Sequence, residues 1–470
     1  MKRSIGGDGL LYLLSLALPG MASLLVLPFT TRALGVNEYG VLELCTAAAV
    51  LLTSIATLEM PQGLARYLPE ADGFEARRAI GSTTLVFCVI SLGLAGLAAL
   101  GIAAALGKGP VLSGNDPALA PVALAWLVST GAQAVAVRHL RWSLRAKDYL
   151  VAVLAGSAVG AAATLLLLHW LGGSASTVLI AQTAGSTTGF LAGALLARGE
   201  LTLRWDWAVQ VRLTRFSLPL VLSALGSLAS AQIGRVLVAQ HLGVEDTGRL
   251  GLAMRITGFL GLAASAFPMA VTPLVYARHK EALTPEWLAG VTRVYVFLGL
   301  CGLILLTELA PLLVNLLAGP GFEGAIPLIP PLGAAVLLVG FTSLLPGLEL
   351  RGDTGMLAGF SIGAAALAVG SMWVLLPVLG VFAAALGPLI SALCLALLVA
   401  PRSQARFPVP HRWSGLTVAW TLSGVVVLLA ASGLFSSTAV PVRLALELAV
   451  VGALFLLLRL KRDLTTLRNS

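Results

Sequence analysis

Leu34-Gly-Val-Asn-Glu-Tyr-Gly40 lies between two long apolar runs, and an altered copy, Leu242-Gly-Val-Glu-Asp-Thr-Gly248, follows 208 residues further along the chain. Each copy follows an apolar run of helix length, places an acidic residue between two glycines and leads into another apolar run. A second pair of features has the same offset, because Leu171-Gly172 corresponds to Leu379-Gly380. Together these matches predict an internal repeat.

The composition of the chain is that of a membrane protein. Of its 470 residues, 58% are hydrophobic and only 11% are charged, and the mean hydropathy is +0.95. Soluble domains are roughly half apolar and one quarter charged. Here apolar runs of about 20 residues, enough to cross a ~30 Å hydrocarbon core as helix, follow one another. We therefore predict an all-α polytopic membrane protein with about 14 transmembrane helices. The predicted spans are 8–31, 39–60, 80–107, 117–137, 148–170, 175–197, 216–240, 247–276, 294–315, 326–349, 354–377, 380–400, 415–434 and 440–460.

The basic residues indicate the orientation of the chain. The net charge of +9 does not favour nucleic acid as a partner, because the basic residues are spread over short connections rather than gathered on one soluble face. The connections and tails on the side of the N-terminus hold 24 of the 30 Lys and Arg residues, and the opposite connections hold 4. Since short cytoplasmic loops carry the excess of positive charge, we predict a bacterial cytoplasmic (inner) membrane protein with both termini in the cytoplasm.

The repeat predicts how the spans are organised. Residues 1–200 form an N-terminal six-helix lobe, residues 201–400 form a parallel C-terminal six-helix lobe, and residues 401–470 add two transmembrane helices and a cytoplasmic tail. Parallel repeats of this kind place the substrate site between the halves, with alternating access by rocking of one half against the other.

Glycine ladders and prolines fall inside the predicted spans. The ladders let helices approach closely, and the prolines free backbone carbonyls and predict kinks. Trp205 and Trp207 of the 198–215 connection suit the headgroup layer and predict a short interfacial helix. The ladders are Gly156/Gly160, Gly185/Gly189/Gly193 and Gly355/Gly359/Gly363, and the prolines are Pro28, Pro219, Pro268, Pro273 and Pro346.

Signatures of catalysis are absent from the sequence. It contains no HExxH, P-loop, GxSxG or GxGxxG motif, and no connection is long enough for a folded soluble domain, so we predict that the chain is not an enzyme. The four cysteines lie inside apolar runs without metal-ligand spacing, and the five histidines lie near span ends, where an interfacial role is expected. No cofactor is predicted. Without a nucleotide-binding domain, transport would run on a gradient of H⁺ or Na⁺, or on a substrate gradient maintained elsewhere.

Charged and amide side chains within or beside the spans are the candidates for substrate binding. A charge at the bilayer centre costs at least about 2.5–3.5 kcal/mol on insertion scales and usually faces a partner or a cavity. Three candidates have i, i+3, i+7 spacing from Glu59 to Arg66 and share one face if the helix continues past Pro61. The predicted substrate-binding residues are Arg235, Arg255, Glu59, Gln62, Arg66, Glu43 and Glu308, with Gln232 one turn before Arg235 and with Glu349 and Glu447 as further charged candidates.

Two interpretations of these side chains are open. They form structural ion pairs or extend to the interface, or else they line a cavity. In the second case Arg235 and Arg255, which lie at similar depths in the outer half, bind a phosphate-bearing headgroup, because arginine offers paired donors to phosphate oxygens. The acids then contact sugar hydroxyls or take a coupling cation.

Four stretches carry a resemblance to a known family. The run Thr31 to Gly40 after an apolar helix, followed by Leu64 to Leu68, resembles the first two helices of the polysaccharide biosynthesis transporter family, which contains the bacterial oligosaccharide flippases. Phe216 to Leu220 and then Leu242 to Gly248 are similar to the family's seventh and eighth helices. Many members carry an acid before the arginine of the seventh helix, whereas here Gly234 precedes Arg235.

The resemblance implies a V-shaped bundle of two six-helix lobes. It implies a flippase that moves an undecaprenyl-pyrophosphate-linked oligosaccharide from the inner to the outer leaflet, with membrane lipids and other polysaccharide-assembly membrane proteins as partners. Multidrug/cation antiporters and lipid II flippases of the same superfamily are alternatives. The absence of any Asp deep within a span counts against the antiporter. A membrane enzyme or a scaffold for glycan assembly is a third interpretation.

Overall fold

The structure, a computed structural model, describes residues 5–105, 116–431, 449–456 and 458. All regular secondary structure of these residues is helical. In chain order the helices are α1 (Ile5–Ala56), α2 (Met60–Tyr67), α3 (Phe74–Ala105), α4 (Leu119–Trp142), α5 (Ala146–Leu171), α6 (Ala175–Leu196), α7 (Trp207–His241), α8 (Val244–Arg278), α9 (Thr284–Leu317), a 3₁₀ helix (Glu323–Leu328), α10 (Ile329–Thr342), α11 (Gly347–Leu350), α12 (Thr354–Leu379), α13 (Phe382–Arg406) and α14 (Trp413–Ala431), and residues 449–456 are also helical.

The described helices have the character of membrane spans. Ten helical stretches are long and apolar enough to cross a membrane. Their surfaces carry large apolar side chains, such as Leu195 and Val378, each 79% exposed, and Trp170, 76% exposed. Side chains of this kind are stable on an outer surface when lipid covers it. The prediction of an all-α polytopic membrane protein is confirmed. Most of the last predicted span, with Glu447, lies outside the described residues.

The predicted span 326–349 lies within Glu323–Leu350, one of the ten stretches long and apolar enough to cross a membrane, but it is not one continuous helix. Residues 326–349 form the end of the 3₁₀ helix, then α10, a turn, and the short α11. The prolines explain this, because a proline lacks the N–H of the helical ladder and disfavours helix in the residue before it. Pro327 lies in the 3₁₀ helix, and Pro346 is the residue before α11.

The two turns of the repeat have the same backbone conformation. Gly35 breaks α1 into two helical halves with φ 66° and ψ −179°, and Gly243 separates α7 from α8 with φ 99° and ψ 179°. Gly172 after α5 (φ 83°, ψ 176°) and Gly380 after α12 (φ 57°, ψ −145°) likewise form a pair. Glycine alone occupies this region without strain. The 208-residue repeat is therefore a repeat of backbone geometry as well as of sequence.

A third turn of the repeat is not visible in the sequence. Leu144 after α4 has φ 57° and Gly352 after α11 has φ 79°, and the two positions are again 208 residues apart. In one turn Arg145 N–H donates to Leu140 C=O (3.1 Å), and in the other Asp353 N–H donates to Leu348 C=O (2.9 Å). These are equivalent helix-terminating turns with a left-handed residue, but one of them contains a leucine where the other has glycine.

The chain divides into two compact units. Unit 1 comprises Met1–Leu228 with Leu317–Pro320, and unit 2 comprises Ala229–Leu316 with Gly321–Ser470. In unit 2, the segment at 449–456 and α14 pack on the same core as α9. The core of unit 1 includes Met60, Leu64, Cys88, Val135 and Leu140, and that of unit 2 includes Tyr295, Leu300, Phe341, Leu416 and Leu454.

Two of the three glycine ladders pack helices together. A Cβ on Gly185 of α6 would lie 2.7 Å from the carbonyl oxygen of Gly156 and 2.7 Å from the Cα of Gly160, both on α5. The close approach predicted for these ladders is confirmed. The prediction is wrong for the ladder on α12, because a Cβ on Gly355 or Gly359 would meet no described atom within 4 Å.

The connection before α7 contains no separate interfacial helix. Helix α7 begins at Trp207 and runs unbroken to His241, so the amphipathic stretch is its first turns. The preceding loop is held to α3, where Ser82 Oγ accepts a hydrogen bond from Thr202 N–H (2.9 Å) and Thr83 Oγ1 accepts one from Asp206 N–H (3.1 Å).

Candidate functional site

Arg235 is a buried arginine in unit 2. Its side chain is only 8% exposed, and its Nη1 donates to Oε1 of Gln232, one turn earlier on α7, at 2.5 Å. A guanidinium keeps its positive charge even when it is buried. Arg235, with Gln232 one turn before it, therefore presents a permanent positive charge, oriented by an amide, on the predicted seventh span (216–240).

Gly234 has a packing role next to this arginine. A Cβ at Gly234 would lie 3.2 Å from Sδ of Met372 on α12. A larger side chain here would require Met372 to shift, so α12 packs closely on α7 at Gly234. His241 at the end of α7 also contacts α12, with its ring centroid 5.9 Å from that of Trp373.

Arg255 and Glu308 are two further candidates in unit 2, and both are partly buried. Arg235 precedes Gly243 by 8 residues and Arg255 follows it by 12. At 1.5 Å per residue the two side chains are about 12 Å and 18 Å along their helices from the same turn. Arg255 therefore lies further from the turn than Arg235, whereas the sequence predicted similar depths for the two residues. Glu308, nine residues before the end of α9, is about 14 Å along its helix.

Glu43 is an acid enclosed by unit 1. It lies on the second half of α1, and only 1% of its surface is exposed. Tyr39, one turn before it, is completely buried, and Leu42 is 1% exposed. A carboxyl group in such surroundings requires polar partners to offset the loss of hydration. Its burial within one unit favours a structural role for Glu43.

Glu59 does not share a helical face with Gln62 and Arg66. Helix α1 ends at Ala56, and Glu59 caps the new helix α2 in a left-handed conformation (φ 52°). Leu58 is left-handed too, with φ 49°. The predicted shared face required a helix that continues past Pro61. That prediction is wrong, because the chain turns before Pro61. The Glu59 carboxylate instead accepts a hydrogen bond from Ser54 Oγ at 2.9 Å.

Gln62 and Arg66 are exposed on α2. Arg66 forms an ion pair with Glu70 one turn later, and its guanidinium lies 5.8 Å from the ring centroid of Tyr67. The opposite side of α2 packs on α7, where a Cβ on Gly63 would lie 2.8 Å from the hydroxyl oxygen of Ser217. Arg66 therefore already has a carboxylate partner on the surface of unit 1.

A buried pair in unit 1 escaped the sequence analysis. His139 is completely buried, and its Nε2 donates to Oε2 of Glu200 at 2.7 Å. This hydrogen bond lowers the pKa of Glu200, which lies in the loop after α6. The expected interfacial role is therefore wrong for His139. The pair could not be found from sequence because its members are 61 residues apart and no motif connects them.

His411 is a second buried histidine, in the connection between α13 and α14. It is 8% exposed, its ring centroid lies 5.1 Å from that of Trp413, and neither ring nitrogen has a hydrogen-bond partner among the described residues. Burial, with the nearby charge of Arg293, lowers the pKa of His411 to about 4. The imidazole is therefore neutral at physiological pH.

Comparison with a family sequence model decides the relationship of the chain. The family described as polysaccharide biosynthesis protein matches residues 7–276. The chain belongs to this family. A comparison with curated protein sequences gives no match. The predicted relationship to the polysaccharide biosynthesis family is thereby confirmed.

Two solved structures of membrane transport proteins have a fold similar to that of this chain. The lipid II flippase MurJ, in an inward closed conformation, superposes with a TM-score of 0.68 at 13% identity, covering 97% of this chain and 100% of MurJ. An inward-facing multidrug resistance MATE family transporter of the MOP superfamily gives a TM-score of 0.65 at 15% identity, covering 86% of this chain and 98% of that chain. At these identities the likeness concerns the fold, and the fold is that of multi-pass membrane transporters and flippases.

Proposed function

We propose that this protein is a flippase that moves a lipid-linked oligosaccharide, carried on undecaprenyl pyrophosphate, across the cytoplasmic membrane for surface polysaccharide synthesis. The observation that carries the proposal is Arg235, a permanent buried charge held by Gln232 on the predicted seventh span (216–240) of a polysaccharide biosynthesis family member. A guanidinium binds phosphate oxygens through paired donors. The lipid chain can remain in the bilayer while Arg235, and Arg255 deeper in unit 2, receive the pyrophosphate.

The other candidates have subsidiary roles in this proposal. Glu308, partly buried on α9, contacts sugar hydroxyls or takes the coupling cation, H⁺ or Na⁺. Three of them have structural roles within unit 1, since Glu43 is enclosed, Glu59 accepts a hydrogen bond from Ser54 and Arg66 forms an ion pair with Glu70. Gln62 offers an exposed amide. The chain performs no covalent chemistry and acts by alternating access between the two repeated lobes.

The proposed location and partners follow from the distribution of basic residues and from the proposed substrate. The excess of Lys and Arg on the side of the termini favours the bacterial cytoplasmic (inner) membrane with both termini in the cytoplasm. Membrane lipids surround the exposed apolar faces, and other membrane proteins of polysaccharide assembly supply the substrate and use the product.

A multidrug/cation antiporter and a lipid II-type flippase are the competing functions, favoured by the folds of the MATE transporter and of MurJ. Genetic removal separates them. The proposal expects loss of surface polysaccharide and accumulation of lipid-linked oligosaccharide, with unchanged drug resistance. Increased drug sensitivity with normal polysaccharide would indicate the antiporter, and arrested cell-wall synthesis with normal surface polysaccharide would indicate the lipid II flippase.

A further inference from the structure

An apolar groove lies on unit 1 beside the first turns of α7. Its cavity volume is about 390 Å³, within the range of ~300–1,000 Å³ typical of small-molecule sites. Its floor and walls are almost entirely apolar and include Leu58, Phe87, Val211 and Leu218. Leu58 belongs to the left-handed turn between α1 and α2. The groove is thus bounded by a strained turn on one side and by α7 on the other.

Two tryptophans give the groove the character of a membrane interface. Trp205 is 40% exposed and Trp207 is 70% exposed, and both line the groove. Tryptophan is enriched where hydrocarbon meets headgroups, because its ring is largely apolar and its N–H is polar. The rim therefore corresponds to headgroup depth, and the apolar wall extends from it.

Arg215 is the charged residue of the groove. It is exposed and forms no hydrogen bond or ion pair within the described part of the chain, whereas Arg212, one turn earlier, lies 4.1 Å from the ring centroid of Tyr67. The acids of the adjoining loop already have partners, since Glu200 binds His139 and Asp206 accepts from Val209 N–H at 3.1 Å. The charge at the rim is therefore positive and complements an anion.

We infer that this groove binds one anionic phospholipid, with its phosphate at Arg215 and one acyl chain against Leu58 and Leu218. The occupant is a resident membrane lipid, because the rim of Trp205 and Trp207 places the phosphate at headgroup depth beside an apolar wall, which is the arrangement of an ordinary phospholipid. The C-terminal tail of the chain carries Lys461, Arg462 and Arg468, so the tail would be repelled by Arg215. This site is independent of the proposed transport function.

Native mass spectrometry of the purified full-length protein tests this inference, with dioleoyl phosphatidylglycerol and dioleoyl phosphatidylcholine as matched probes. Wild type should retain the anionic lipid in preference to the zwitterionic one. Arg215→Gln should lower that retention about fivefold, since a basic residue at a membrane surface contributes about one fivefold factor in affinity. Val211→Trp, which fills the groove, should lower retention of the same lipid to a similar extent.

Arg212→Gln is the matched control, because it removes the same charge from the same helix, one turn earlier, where the guanidinium lies against Tyr67 and does not line the groove. It should leave retention unchanged. Equal losses for Arg212→Gln and Arg215→Gln would show that the effect is general surface electrostatics and would overturn the inference, as would equal retention of both lipids. Displacement by undecaprenyl phosphate would assign the groove to the substrate, and a dimer lost in Val211→Trp would assign it to a second copy of the chain. If Val211→Trp does not fold, the exposed Arg215→Gln variant decides.

Discussion

Arg235 combines burial, a fixed charge and an amide partner one turn away. The sequence located this residue because an arginine inside an apolar run is expensive, and because Gln232 has the spacing of a helical neighbour. The hydrogen bond of 2.5 Å between them shows that the two side chains do form a pair. What the sequence could not show is Met372 of α12 against Gly234, since that contact joins positions more than a hundred residues apart.

Replacement of Arg235 tests its role in transport. We expect Arg235→Ala to lower polymer export at least about tenfold, because a charge-assisted hydrogen bond contributes about 1.5–3 kcal/mol, while protein abundance stays the same. Arg235→Lys should be intermediate, since lysine keeps the charge and loses the paired donors. Arg278→Ala, at the exposed end of α8, serves as control and should export normally. Loss of folded protein in Arg235→Ala would instead show a structural pair.

The lowered pKa of His411 predicts how the stability of the protein depends on pH. The pKa of His411 is lowered to about 4 in the folded chain and is about 6.5 in the unfolded chain, so between these values the unfolded state binds the extra proton. Stability is therefore full above pH 6.5 and falls as the pH decreases toward 4. By pH 5 the free energy of unfolding should be lower by about 2 kcal/mol.

The variant His411→Phe should lose this part of the acid sensitivity. It removes no hydrogen bond of the imidazole to the described residues, and phenylalanine can keep the ring contact with Trp413. Thermal unfolding of purified protein at pH 7 and pH 5 measures the difference. His279→Phe, at the end of α8, should retain the wild-type slope. The same slope in wild type and His411→Phe would contradict the assignment.

At the level of the elements, the repeat was predicted as far as glycine marked it. Gly35, Gly172, Gly243 and Gly380 take conformations that other residues avoid, so sequence and backbone agree at these four turns. The turn at Leu144 was invisible because a leucine occupies the glycine conformation there. The break in the predicted span 326–349 and the turn before Pro61 show the same limit, since propensity alone does not place the end of a helix.

Opposite substitutions at Leu144 and at Gly352 test whether the two turns are equivalent. Leu144→Gly should stabilise the protein by about 1 kcal/mol, because it relieves a left-handed leucine. Gly352→Ala should destabilise it by a similar amount, since a Cβ there meets no described atom within 4 Å and only the positive φ opposes it. Unfolding midpoints of both variants measure the effects. Shifts in the same direction would contradict the equivalence of the turns.

The contact between α5 and α6 depends on glycine for a different reason. Gly185→Ala should destabilise the protein by about 1–3 kcal/mol, because its Cβ would enter the backbone of Gly156 and Gly160. Gly359→Ala is the matched control, since that position on α12 has open space, and its unfolding temperature should stay the same or rise. An unchanged unfolding temperature for Gly185→Ala would argue against the close helix packing.

For the whole molecule, composition was sufficient to predict the fold class, whereas the family was predicted from the resemblance that begins with Thr31 to Gly40. Apolar runs of bilayer length leave few architectures, because a membrane requires every backbone group to be satisfied within helices or closed barrels. The functional site is harder to predict, because substrate binding depends on which buried charges share a surface. In the sequence, Glu43 and Arg235 are both charged residues inside apolar runs. In the structure, Glu43 is enclosed in unit 1 with 1% of its surface exposed, whereas Arg235 belongs to unit 2 and forms a hydrogen bond with Gln232.

The central proposal is movement of a lipid-linked oligosaccharide, and reconstitution measures it directly. Purified protein is placed in liposomes that contain a fluorescent undecaprenyl-pyrophosphate-linked oligosaccharide, and the label in the outer leaflet is removed chemically at intervals under H⁺, Na⁺ or no gradient. We expect wild-type protein to bring the protected label to the outer leaflet, and Arg235→Ala, equally folded, to do so at least about tenfold more slowly. No movement by folded wild-type protein under any gradient would contradict the proposal.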